Sequence, residues 1–162
     1  MVLHAEQRAL LEKQHNFAEW QGARDAGGPP IRNFAFKGDE LPGWELIRSR
    51  RNDVLDPPRL DTFWRPAGAS ADTLVGVRVV ERPTVAAARE ALLEVLGDIQ
   101  SAVIVRRPDL DIGDVVFGQE FILAFTRGNL LVVVRNAGPK VIPITEVARA
   151  LDGVVAKAMG ER

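Results

Sequence analysis

The sequence has no cysteine, no tyrosine, only two histidines and no excess of charge of either sign. Without cysteine there can be no disulfide, no thiolate zinc site and no thiol nucleophile. His4 and His15 are eleven residues apart. On one helix that spacing is roughly 16 Å along the axis, too far for one metal ion to bridge. Serine is equally sparse. Ser49, Ser70 and Ser101 lie in no G-x-S-x-G elbow, which argues against serine-triad hydrolysis. Gly27-Gly28-Pro29-Pro30 has no Lys-Ser/Thr behind it and is no phosphate loop, and there is no G-x-G-x-x-G. No cofactor is expected.

Lys and Arg number 21 and Asp and Glu 22, a formal net charge of −1. A general nucleic-acid binder carries a basic footprint, so nucleic acid is not the expected partner. No apolar run approaches the roughly 20 residues that span a bilayer. Residues 1–20 are charged throughout and carry no signal-peptide pattern. As written the chain reads as cytoplasmic, with a mature exported domain left open. Basic charge rests on Arg far more than Lys, which a GC-rich genome alone would produce and which guanidinium pairing would also favour.

What is present is enough for a core. Of 162 residues, 46% are hydrophobic and 27% charged, which suits one α+β domain over residues 1–162. Residues 3–20 read as a helix with a thin apolar stripe of Leu3, Leu10, Leu11, Phe17 and Ala18, docked on the body or on a second copy. A Gly/Pro loop completes the segment 1–33. Residues 34–72 read as an irregular arm pinned by Trp44, Phe63 and Trp64, with Trp44–Arg48 and Thr62–Arg65 as possible short strands.

The core unit is expected over 73–160. Val75, Val77 and Val79 alternate as in a half-buried strand. Thr84 offers an N-cap to a helix over 85–99, whose apolar face is Val85, Ala88, Leu92, Val95, Leu96 and Ile99. Strands follow at 102–107 and 114–118. Gly128-Asn129 then closes a two-residue hairpin of type II′ or I′ between 120–127 and 130–136. Two-residue closure pairs Arg127 with Leu130, Phe125 with Val132 and Leu123 with Val134. The opposite face carries Ile122, Ala124, Leu131 and Val133, too apolar to be bare, so something must cover part of it. A helix over 145–158 closes the chain, with Thr145 as its expected N-cap. From residue 74 the order β-α-β-β-β-β-α resembles cystatin-like and helix-grip folds, in which an antiparallel sheet grips one helix. The inhibitor motifs of the cystatin family, Gln-x-Val-x-Gly and a Pro-Trp hairpin, are absent.

Several residue groups could carry function. Asp109, Asp111, Asp114 and Glu120 partly match the spacing of a calcium loop, but Gly113 precedes Asp114 where the loop needs the reverse order. A tight turn explains the same residues. Arg48, Arg50 and Arg51, with Arg106 and Arg107 elsewhere, could form an anion or phosphate site or contact RNA, or else make surface ion pairs with neighbours such as Glu45, Asp53 and Asp56. Arg127 and Asn129 could make a recognition tip. The expected function is a non-catalytic binding or protein-interaction domain. Its working surface would be the sheet face around Ile122, Ala124, Leu131 and Val133, or the loop tips at 108–113 and 127–129, the latter with Arg127 and Asn129. A small-molecule binder or helix-grip enzyme with a cavity over Phe121, Leu123, Phe125, Val132 and Val134 is the alternative. A self-associating structural domain is the third reading.

Overall fold

The computed structural model describes residues 4–22, 30–99, 101 and 104–160. The order is α1 (Ala5–Gln14), a 3-10 helix (Phe17–Gly22), β1 (Trp44–Asn52), β2 (Arg59–Pro66), β3 (Val75–Glu81), α2 (Val85–Ile99), β4 (Val105–Arg106), β5 (Val115–Gln119), β6 (Ile122–Arg127), β7 (Leu130–Asn136) and α3 (Thr145–Ala158). The fold is α+β. All strands join one seven-stranded antiparallel sheet in the order β1-β2-β3-β7-β6-β5-β4.

The β6–β7 hairpin follows from its turn. Arg127 pairs with Leu130, Phe125 with Val132 and Leu123 with Val134. Gly128 takes φ +55 whereas Asn129 stays out of the left-handed region, the combination of a type II′ turn. Thr84 caps α2, its Oγ1 accepting from the Ala87 N–H at 3.0 Å.

Different elements pack on the two faces of the sheet, and on the α2 side they cover only part of it. On one face, Val75, Val77, Val79, Leu123, Phe125, Val132 and Val134 pack with Val147, Ala148, Leu151 and Val155 of α3, and with Phe34, Phe36 and Leu41. On the other, Val115, Phe117, Ala124 and Leu131 pack under Leu92, Leu93 and Leu96 of α2 and the wholly buried Trp20. Trp20 lies 5.1 Å from the Phe117 ring and donates its indole N–H to the His15 carbonyl.

Three expectations are corrected. The arm over 34–72 is irregular only in part: the two short strands expected in it lie within β1 and β2, which form a hairpin that extends the sheet beyond β3, while 34–43 has no regular structure. The N-terminal helix is not continuous to residue 20. It ends at Gln14, Asn16 takes φ +52, and a 3-10 turn carries Trp20 inward. Leu10 is exposed, while Leu11 and Phe17 pack partly against the body; Leu3 lies outside the described residues. The N-cap position of α3 is Ile144, with Thr145 already the first helical residue. The cover expected over the Ala124 and Leu131 side is supplied by α2, and α3 covers the other side.

Candidate docking face on the sheet

The pairing register carries three rows across the α2 side of the sheet. Antiparallel partners point to the same face. The first row runs Arg48, Phe63, Gly76, Arg135, Ile122 and Gln119. The second runs Arg50, Asp61, Arg78, Val133, Ala124 and Phe117. The third runs Asn52, Arg59, Val80, Leu131, Thr126 and Val115. The β1–β3 end of the rows carries Arg48, Arg50, Arg59, Asp61 and Arg78, and the β5–β7 end is mostly apolar. Glu45 and Arg65 add a pair at the end of β1 and β2.

Alternation along β2 builds the charged half. Leu60, Thr62 and Trp64 point into the core, so Arg59, Asp61, Phe63 and Arg65 must point the other way. Trp64 is locked by donating its indole N–H to Thr62 Oγ1 at 2.9 Å, while the Thr62 hydroxyl reaches the Val77 carbonyl. The Phe63 ring lies beside Gly76 of β3.

No described element covers this half. Asp61 is shared by Arg78 at 2.8 Å and Arg59 at 3.1 Å, and Glu45 holds Arg65 at 3.4 Å. Arg48, Arg50 and Arg135 are exposed and have no ion pair among the described residues. The face therefore has more guanidinium than carboxylate, around a half-buried Phe63.

Of the basic cluster expected from sequence, only Arg48 and Arg50 lie here. Arg51 points to the α3 side, donating to the Phe34 carbonyl and to Asp53. Arg106 and Arg107 belong to the far edge, where Arg107 pairs with Asp109.

The remaining expected site residues are placed differently from expectation. Ala124 and Leu131 are buried beneath α2 and Trp20, with Ile122 and Val133 partly buried at the margin of the same cluster. This face is thus closed within the chain. Arg127 is not an exposed tip but is 4% exposed. Its Nε and Nη2 donate to both Asp152 oxygens at 2.8 and 2.6 Å, and Nη1 lies 3.8 Å from Asp114. Asp114 in turn accepts from the Gly128 N–H. Asn129 is also buried. Its side chain accepts from the Ile31 N–H and donates to the Ile31 and Arg82 carbonyls.

The calcium-loop residues do not converge. Asp109 is held by Arg107, which keeps its carboxyl below the usual range; Asp114 is engaged with the hairpin turn; Glu120 lies beyond the far end of β5. Among the described residues, no group of three or more His, Asp or Glu is placed to hold a metal ion. Gly113 is required by the turn itself, because it takes φ +64 and a Cβ would sit 2.5 Å from the Thr126 carbonyl. His15 packs edge-on against Phe117, and burial lowers its pKa.

Leu123, Phe125, Val132 and Val134 are completely buried in solid core, and Phe121 is exposed in the β5–β6 turn. A separate open groove of about 820 Å³ runs between α3 and residues 31–40. Its lining carries Arg32, Lys37 and Lys157 together with Asp39 and Glu40. Among the described residues, no helix is long and apolar enough to cross a membrane.

Comparison with known proteins adds nothing to this geometry: no protein-family model, no curated protein and no solved structure matches the chain.

Proposed function

We propose that the chain is a non-catalytic protein-interaction domain that docks an acidic partner protein on the open arginine half of its sheet. One observation carries this reading. Arg48, Arg50 and Arg135 lie exposed on the open part of these rows, without carboxylate partners among the described residues. A face left with surplus guanidinium is complementary to carboxylates, which it can meet in bidentate pairs.

Protein is favoured over nucleic acid for two reasons. The face interleaves Asp61 and Glu45 with the arginines, and carboxylates on a phosphate track would repel it. The whole chain carries a net charge of −1, without the surplus that nucleic-acid binding rests on. Arginine around an aromatic centre such as Phe63 is the composition enriched in protein interfaces.

The test measures fluorescence anisotropy of labelled poly-L-glutamate and of a DNA duplex on the full chain. Poly-glutamate is expected to bind in preference to DNA. Arg48→Glu combined with Arg50→Glu is expected to weaken that binding by about tenfold or more. Equal binding by the variant, or a preference for DNA, overturns the reading.

A further inference from the structure

We infer that the partner presents its carboxylates on an extended strand, which adds to the free edge of β1 and continues the sheet. This rests on the docking reading above and specifies the form of its partner. The two edges of the sheet differ. β4 has two residues, too short to template another strand, whereas β1 has nine. Among the described strands β1 pairs only with β2, so its outer row of N–H and C=O groups faces no other strand. β1 contains no proline that would interrupt a ladder. The bulge between Leu46 and Arg48 leaves Arg48–Asn52 in regular register.

The side chains define what such a strand must carry. A strand beside β1 has alternate residues on the two faces. Those beside Arg48 and Arg50 share the open arginine face and are matched by Glu or Asp. Those beside Ser49 lie on the opposite face, where a small β-former such as Thr fits. The recognised pattern is therefore acidic residues at every second position.

A second copy of this chain is the other natural occupant of a free edge. Pairing β1 with itself about a two-fold axis at Ser49 brings Arg48 of each copy beside Arg50 of the other. Like charges facing across strands oppose that pairing. An acidic strand removes the same repulsion, so charge selects the foreign strand over self-pairing.

The experiment uses the full chain and a synthetic peptide alternating Glu and Thr. A matched peptide carries N-methyl groups on every second residue, which abolish ladder bonds on one edge but keep the charge. Binding is read by anisotropy, and amide hydrogen exchange is followed over residues 44–52. Strand addition requires that the plain peptide binds, that N-methylation on the bonding edge weakens it by about tenfold or more, and that β1 amides gain protection. Equal binding of both peptides with unchanged β1 exchange overturns strand addition while leaving the arginine face intact. Binding of neither peptide, with no loss of poly-glutamate binding in the charge-reversed variant, overturns both. Concentration-dependent β1 protection without peptide assigns the edge to a second copy and overturns the inference.

Discussion

The two halves of one sheet face have opposite fates. Across the row from Arg50 to Phe117, side chains change from exposed arginine to fully buried aromatic. Apart from the exposed Arg135 at its margin, the β5–β7 half is mostly apolar and packs beneath α2 and Trp20. The β1–β3 half has a similar backbone but carries guanidinium groups, and no described element lies on it. The first half is used in folding, since burying its apolar surface is what holds α2 and the N-terminal segment in place. The second contributes little to stability, because exposed ion pairs such as Arg65–Glu45 are worth roughly 0–1 kcal/mol. Surface kept at small gain in stability is where binding is sought.

This contrast can be broken by mutation. Placing a charge in the covered half is expected to have the largest effect. Ala124→Glu sets a carboxylate under α2 and should destabilise by more than about 4 kcal/mol in urea unfolding, the exceptional range for a single substitution. Near-normal stability would mean that α2 does not seal that half. Next is the buried arginine. Arg127→Met leaves Asp152 and Asp114 without their cation, and a loss of about 3–5 kcal/mol is expected from denaturation midpoints. A loss near that of a surface arginine would show that the hairpin is not tied to α3.

A smaller effect comes from pH. Burial beside Phe117 holds His15 below its ordinary pKa of 6.5, so the unfolded chain takes up the proton first as pH falls. The contribution is therefore complete above about pH 6.5 and is lost as pH falls towards the folded value. His15→Gln should flatten the stability-versus-pH curve in that window. An unchanged slope would contradict the burial. Smallest of all, Arg48→Glu with Arg50→Glu should leave stability within about 0.5 kcal/mol of the parent, because both residues are exposed. A large loss there would mean that the open half also serves folding.

Much of this fold was legible locally. The hairpin register followed from Gly128-Asn129, and the alternation of Val75, Val77 and Val79 marked the strand beside it. The hidden parts depend on distant pairings. Arg59, Asp61, Phe63 and Arg65 alternate with Leu60, Thr62 and Trp64, a period-two signal that prolines on either side obscured. Even with that alternation read, only the register joins Arg48 and Arg50 to Arg78 and Arg135. Arg127 looked like an exposed tip because its partner lies 25 residues onward. The clue was Asp152, four positions after Ala148 on the apolar stripe of α3, where a buried carboxylate requires a cation.

The central claim is that the open arginine half is the docking face, and the most direct measurement is amide chemical-shift mapping. The ¹⁵N-labelled full chain would be titrated with the alternating Glu/Thr peptide. Shifts are expected to concentrate in 44–52, 59–66 and 75–78 and around Arg135, sparing the strands beneath α2. Shifts confined to the groove along α3 or to the α1–α2 surface, or none at saturating peptide, would contradict it.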